Sequence, residues 1–278
     1  MNFETLAKHA GLQPEIMKSI LTVQNTACDT ATLKALFWQN RQTFFNAVKA
    51  SAVKNKIDVR ILYGYLYIDL AADAYASYQT RAICDEIYYD TMHDIAIWAE
   101  NCHAHSGVWG IAEIEWLSLH VSLQIFRLGR LQFQPTVFAL PEGISAAACP
   151  LQNGDAVYNV HIPKGGKLLP IECEKSYDAA AKFFKQEHPA FVCYSWLLHS
   201  ALQTLLPPTS NLLMFQKRYH IFKESATKAN SIEAERIIFG RIEENPVHYP
   251  QQTQLQKSVV AYLKSGRQLG NGSGYFIG

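Results

Sequence analysis

The hydrophobic period of this 278-residue chain changes near residues 126–130, and this change constrains the fold more than any single motif does. Before it, apolar residues recur at the spacing of a helix, with no strand-like alternation of any length. Over residues 130–138, apolar and polar residues alternate as in a half-buried strand. We therefore predict an α+β protein of two domains. Residues 1–126 form an all-helical N-terminal domain, and residues 127–278 form a mixed α/β C-terminal domain.

The helices of the first domain are predicted from apolar spacing and from the Gly and Pro residues near their ends. One begins near Pro14, a second carries the apolar residues between 33 and 48, and three more cover residues 57–78, 85–101 and 112–128.

The second domain is predicted to begin with strands over residues 130–138, 157–162 and 191–198. A helix that starts at Ser176 and ends before Pro189 separates the last two strands. A helix over 211–218 and short strands over 220–223 and 237–239 follow. Thr253-x-x-Gln256 is a capping box that begins the last helix, and Gly266 ends it.

Composition excludes several classes of protein. The formal net charge is +1, so no overall field attracts nucleic acid or an acidic membrane surface. The six cysteines form no C-x-x-C pair, and Asp90-x-x-His93 has no second copy, so we predict no metal site. No signal segment or membrane-spanning run is recognisable, which predicts a cytoplasmic protein with reduced thiols.

His161 lies near the end of a predicted strand, just before the turn Lys164-Gly165-Gly166. A histidine titrates near neutral pH and can accept a proton from an amine nucleophile. The alternative is a structural histidine bonded to a neighbouring strand or loop. Strand, turn and helix together are where α/β proteins place ligands, so this segment is the predicted site.

Other polar residues near the predicted site have two interpretations each. Cys193 and Ser195 share one face of a strand, but no Gly-x-Ser-x-Gly elbow surrounds Ser195, so both can equally be small packing residues. Arg127 and Arg130 can bind a phosphate or carboxylate of a substrate. They can equally cap the preceding helix or pair with nearby glutamates.

The order of elements after residue 127, with five segments of sequence, resembles a known family. The segments are FRLGRLQFQP, GDAVYNVHIPKGGKL, FVCYSWLL, LLPPTSNLLMF and LKSGRQLGNGSG. They resemble bacterial proteins with a GNAT-like C-terminal domain behind an N-acyltransferase N-terminal domain, over essentially the whole chain. The resemblance implies an N-acyltransferase that uses acetyl-CoA or another acyl-CoA as co-substrate. The acceptor is expected to be a small-molecule amine or a peptide.

The same resemblance implies roles for individual residues. The thioester is addressed by Asn159, His161 and the backbone around Ile162. The phosphates face Lys164, Gly165, Gly166 and Lys167. The catalytic candidates besides His161 are Ser195 and Tyr219, and the candidates for substrate binding are Arg127, Arg130 and Trp196.

This sequence departs from GNAT enzymes at two points. The usual Arg/Gln-x-x-Gly-x-Gly/Ala loop is absent from the turn, and its one match, Arg267-x-x-Gly270-x-Gly272, follows the last helix and is interpreted as unrelated to phosphate. Phe215 stands where a tyrosine acid is expected, with Tyr219 one turn later. A second hypothesis is therefore a non-catalytic protein that binds acyl-CoA or another ligand on the same fold.

Overall fold

The computed structural model of the chain describes residues 1–145 and 149–278. The chain divides into two compact units, Met1–Arg127 and Leu128–Gly278. The helices of the first unit are α1 (Phe3–His9), α2 (Pro14–Leu21), α3 (Thr30–Gln39), α4 (Arg41–Asn55), α5 (Val59–Thr80), α6 (Asp85–Ser106) and α7 (Ile114–Val121). The predicted helical domain is confirmed.

The first unit packs around α5. Most of its residues between Leu62 and Ala74 are buried, and the row Tyr65, Asp69 and Asp73 is the side that reaches solvent. Helix α5 begins after its N-cap residue Asp58, whose carboxylate accepts a hydrogen bond from the Arg60 amide at 2.9 Å. The fully buried hydroxyl of Tyr88 donates to the Ala71 carbonyl of α5 at 2.8 Å.

A buried carboxylate links two further helices of the first unit. Asp94 is 2% exposed and accepts hydrogen bonds from the indoles of Trp98 at 3.2 Å and Trp116 at 2.7 Å. The Nε2 atom of His120 lies 3.1 Å from the same carboxylate. These partners satisfy a charge whose burial would otherwise be costly.

A six-stranded sheet has the order β1-β2-β3-β4-β6-β5 in the described part of the chain, and its strands β2 to β6 lie in the second unit. The strands are β1 (Phe126–Leu128), β2 (Leu131–Val137), β3 (Ala156–His161), β4 (Ala190–Ser195), β5 (His220–Ser225) and β6 (Asn271–Ile277). β3 and β4 are parallel, and the pairs β2–β3, β4–β6 and β5–β6 are antiparallel. The predicted α+β fold class is confirmed.

Helix α8 (Pro170–Phe184) covers one face of this sheet through an aromatic cluster. The Tyr177 ring of α8 lies 5.9 Å from Phe133, 5.1 Å from Phe191 and 4.8 Å from Phe276, measured between centroids. Phe138, Cys149, Leu151, Val157 and Val192 form a second cluster. The remaining helices are α9 (Leu202–Leu205), α10 (Asn211–Gln216), α11 (Lys228–Phe239) and α12 (Gln254–Lys264).

Several predicted boundaries were wrong. The helix predicted over residues 112–128 is α7, and it ends at Val121 instead of continuing to residue 128, because Leu123 takes a left-handed φ of 57°. Helix α8 starts at Pro170, well before Ser176, since proline suits a first-turn position. Residues 237–239 are the last turn of α11 rather than a strand. Among the described residues, no helix is long and apolar enough to cross a membrane.

Candidate active site

Two strands of the sheet part from each other at their carboxyl ends. β3 and β4 are parallel, and their register pairs Tyr158 with Phe191 and Asn159 with Val192. The ladder stops there, although β3 continues to His161 and β4 stays paired with β6 beyond it. Open α/β sheets bind ligands at such openings beyond the carboxyl ends of parallel strands. The opening between β3 and β4 is therefore the candidate active site.

Polar side chains line one face of the sheet beside this opening. The antiparallel register of β2 and β3 places Gln132 opposite His161 and Gln134 opposite Asn159. Residues directly opposite each other share a face of the sheet, so these four side chains lie together. The alternating residues Tyr158 and Val160 point to the other face, where Tyr158 stacks on Phe184 of α8 at 4.2 Å.

Asn159 sits where the ladder stops. Its Oδ1 atom is buried and has no hydrogen-bond partner within the described chain. A buried acceptor without a donor costs about 1–3 kcal/mol. The atom can therefore accept a hydrogen bond from an N–H group of a ligand that enters the opening.

His161 is half-buried, and its Nε2 atom lies 3.0 Å from Oε1 of Gln134, a diagonal neighbour on β2. A carboxamide oxygen can only accept, so Nε2 donates this hydrogen bond. Both interpretations made from the sequence fit this contact, since a bonded neighbour orients the ring in a structural role and in a catalytic one.

The turn after β3 leads directly into α8. Residues 162–169 connect the two, a shorter connection than the sequence suggested. Gly165 and Gly166 take positive φ values of 104° and 56°, which glycine adopts without strain. Lys164 and Lys167 flank them, and both are exposed. The segment offers two positive charges and glycine backbone next to the N-terminus of a helix, a combination that favours anions.

The guanidinium of Arg130 binds this turn through three backbone carbonyls. Its Nη1 donates to the Pro163 carbonyl at 3.0 Å, its Nε to the Lys167 carbonyl at 3.2 Å and its Nη2 to the Gly166 carbonyl at 3.5 Å. Arg127 lies in the first unit, where its charge opposes the rise that burial causes in the pKa of Asp90.

The residues predicted on β4 differ in what they can do. Cys193 is fully buried, and burial raises the pKa of its thiol to about 12, so the nucleophilic thiolate does not form near neutral pH. Ser195 ends the strand, and its Oγ accepts a hydrogen bond from the Leu197 amide at 3.2 Å. Trp196 follows and packs against the apolar cluster of α11 and α12. The substrate contacts of Trp196 and Arg127 stay predictions.

Tyr219 belongs to the aromatic core under α8. It is 6% exposed, and its hydroxyl oxygen lies 2.9 Å from that of Tyr177. Burial raises the pKa of Tyr219 well above its ordinary value. Phe215 is also buried, with its ring 5.3 Å from that of Tyr219.

The two glycines of the motif Arg267-x-x-Gly270-x-Gly272 have a structural role. Gly272 lies in β6, and a Cβ atom there would lie 2.5 Å from the Leu198 carbonyl oxygen. At Gly270 a Cβ would lie 2.5 Å from the Ser225 carbonyl oxygen. Glycine is required at both positions because other backbone approaches closely.

Sequence reasoning missed Gln134 and the contacts of Arg130, since both depend on a strand register that local patterns do not reveal. No group of His, Cys, Asp and Glu side chains in residues 1–145 and 149–278 could hold a metal ion.

Two family models match this chain. The GNAT-like C-terminal domain matches residues 125–276, and the N-acyltransferase N-terminal domain matches residues 1–123. The first match alone covers more than half of the chain, so the protein belongs to the family of GNAT-like acyltransferase-domain proteins with this pair of domains. The resemblance predicted from the sequence is confirmed.

Solved structures of acyltransferases share the fold. One, in complex with decanoyl-CoA, is 24% identical over 78% of this chain and 66% of its own, with a TM-score of 0.67. Another, with decanoyl-CoA and teicoplanin, is 18% identical over 99% and 87%, with a TM-score of 0.75. A mutant acyltransferase with octanoyl-CoA is 20% identical over 98% and 86%, with a TM-score of 0.76. No curated protein matches the chain in sequence.

Proposed function

We propose that this protein is an N-acyltransferase that moves an acyl group from the thioester of an acyl-CoA to an amine. The observation that carries the proposal is the opening between β3 and β4 beyond Asn159, which continues into the Gly-Gly turn before α8. Acyltransferases of the same fold bind decanoyl-CoA and octanoyl-CoA, which supports the choice of co-substrate.

The residues at the opening fit an extended thioester ligand. The pantetheine arm of CoA carries amide N–H groups, and one of them can satisfy the buried Oδ1 of Asn159. The backbone around Ile162, where β3 has lost its partner, can polarise the thioester carbonyl.

The turn fits the phosphates of the same ligand. Lys164 and Lys167 supply charge, and Gly165 and Gly166 let the backbone approach a phosphate closely. The negative charge of Glu172 in the first turn of α8 repels an anion there, but the two positive charges of Lys164 and Lys167 exceed it.

The reaction needs one base that accepts the proton of the attacking amine. The amine nitrogen attacks the carbonyl carbon, a C–N bond forms, and the C–S bond breaks to release the CoA thiol. His161, oriented by Gln134, accepts the amine proton, and the proton then passes to the leaving sulfur. Ser195, at the end of β4, lies on the other side of the opening and is assigned to the acceptor. We assign Tyr219 to the core, in place of the catalytic role predicted from the sequence, because its hydroxyl is buried against Tyr177.

The second candidate function is acyl-CoA binding without transfer. It is favoured by Phe215, which has no hydroxyl, and by the burial of Tyr219, since neither of these two residues offers an exposed hydroxyl as an acid. The two functions make the same prediction for binding and opposite predictions for turnover.

The experiment measures binding first and turnover second. The full chain is titrated by calorimetry with CoA, acetyl-CoA, octanoyl-CoA and decanoyl-CoA, and thermal unfolding is recorded with each. A ligand at a hundred times its Kd stabilises the folded state by about 2.7 kcal/mol. Thiol release is then measured with a panel of primary amines, with an amine-free reaction as the control for hydrolysis. Absence of binding at millimolar concentrations refutes both functions. Binding without amine-dependent thiol release leaves the binding protein.

A further inference from the structure

Arg130 connects three parts of the second unit. Its backbone amide donates to the Ser176 hydroxyl of α8 at 2.8 Å, and its guanidinium donates to the three carbonyls of Pro163, Gly166 and Lys167. Gly129, with a φ of 73°, turns the chain between β1 and β2 so that Arg130 reaches the segment after β3. One side chain therefore fixes the shape of the Gly-Gly turn.

The direction of these carbonyls determines the direction of the amides. A peptide unit is planar and trans, so the C=O of one residue points opposite to the N–H of the next. Because the carbonyls of Pro163, Gly166 and Lys167 face the guanidinium, the N–H groups of Lys164, Lys167 and Leu168 point away from it. None of these three N–H groups has an acceptor within residues 1–145 and 149–278.

The electrostatics add to this geometry. Each of the three peptide dipoles presents its positive end on the side opposite Arg130, and the guanidinium adds a full positive charge behind the turn. Lys164 and Lys167 lie on the exposed side. The turn has the properties that the missing Arg/Gln-x-x-Gly-x-Gly/Ala loop normally provides, namely amides free to donate and a positive local field.

We propose that Arg130 is a positioning residue for the diphosphate of CoA, an inference that rests on the proposed function. It does not touch the ligand. It holds three carbonyls inward and so keeps the amides of Lys164, Lys167 and Leu168 directed at the ligand. Lysine cannot replace it, because an ammonium group is a single point of charge, whereas the planar guanidinium presents its donors as a fork that spans the three carbonyls.

The test compares donors with and without the diphosphate. Wild-type protein, Arg130→Lys, Arg130→Gln and the control Arg241→Gln are titrated with CoA. Their kcat and KM are then measured with the preferred acyl-CoA and with the same acyl group on pantetheine, which lacks the diphosphate. Arg241 is a matched control because its guanidinium also donates to a backbone carbonyl, that of His248 at 2.8 Å, in another loop of the same unit.

We expect both Arg130 variants to bind CoA about tenfold more weakly or worse, since a loosened turn must be ordered by the ligand. The KM for acyl-CoA should rise with little change in kcat, the kinetics with acyl-pantetheine should stay near those of the wild type, and Arg241→Gln should match the wild type throughout.

Two results would overturn the proposal. The first is wild-type affinity for CoA in Arg130→Lys, which would mean that charge alone suffices. The second is an equal loss with acyl-CoA and acyl-pantetheine, which would mean a general structural role. If Arg130→Gln does not fold, Arg130→Lys decides between these outcomes. Failure of the wild-type chain to bind CoA would instead overturn the proposed function and this inference together.

Discussion

The hydroxyl pair of Tyr177 and Tyr219 provides a sharp test of which residues act in catalysis. Both side chains are at most 6% exposed, and their oxygens lie 2.9 Å apart. Changing either tyrosine to phenylalanine keeps the ring but leaves the other hydroxyl buried without a partner. Each single variant should therefore lose about 1–3 kcal/mol of stability.

The double variant Tyr177→Phe/Tyr219→Phe removes both hydroxyls and so leaves no buried hydroxyl without a partner. It should be less destabilised than the sum of the two single variants, and the difference measures the coupling between the hydroxyls. Urea denaturation followed by circular dichroism gives the free energies of unfolding. Tyr262→Phe, at a partly exposed tyrosine of the same unit, is the control and should stay within about 0.5 kcal/mol of the wild type.

The pair also predicts a response to alkaline pH. Burial raises the pKa of both hydroxyls well above the ordinary value, so above about pH 10 the unfolded chain loses protons that the folded chain keeps. Stability is fully present below that pH and falls as pH rises from there toward the folded-state pKa of each tyrosine. The double variant should therefore lose stability less steeply than the wild type over this range.

Activity distinguishes the core role from an acid role. We expect Tyr219→Phe to keep the kcat/KM of the wild type, per folded molecule and at a temperature where both are folded. A general acid contributes about 100-fold or more. A loss of that size in Tyr219→Phe, with the Tyr262→Phe control unaffected, would refute the assignment of Tyr219 to the core.

Three further predictions concern the opening, the turn and the close backbone contact. His161→Gln should lower kcat about 100-fold with little change in CoA affinity; equal rates in mutant and wild type would remove His161 from the mechanism. The double variant Lys164→Glu/Lys167→Glu should weaken CoA binding and reduce its dependence on salt, as calorimetry at several ionic strengths would show; unchanged affinity would contradict a phosphate site at the turn. Gly272→Ala should lower stability by about 1–3 kcal/mol in urea denaturation, because its Cβ meets the Leu198 carbonyl at 2.5 Å, and a stable variant would contradict that contact.

The fold could be predicted wherever a local pattern matched the tertiary environment. Helical spacing identified the first unit, and the capping box at Thr253 and Gln256 begins α12 as expected. Ser176 misled the prediction of α8, because its hydroxyl donates to the Glu172 carbonyl inside the helix rather than capping its start. The useful signal was Pro170 at the first helical position.

The last strand could not be predicted for a different reason. β6 reads Asn-Gly-Ser-Gly-Tyr-Phe-Ile, and glycines are rare in strands, so the segment resembles a loop. Gly272 is required because the Leu198 carbonyl lies against the strand, a contact between residues more than 70 positions apart. Local propensity contains no information about such a contact, and tertiary packing overrides it.

The candidate site shows the same division between local and non-local information. The position of His161 at a strand end followed from alternation, but its partner Gln134 depends on the register between β2 and β3. A phosphate site at the Gly165-Gly166 turn is a proposal, and it was doubtful from the sequence because the family's glycine loop is missing. What a phosphate requires, however, is a set of amides without protein acceptors, and glycine motifs are one means of providing them. In this chain Arg130, more than 30 residues before the turn, binds carbonyls of the turn, so a motif search would miss a phosphate site formed in this way.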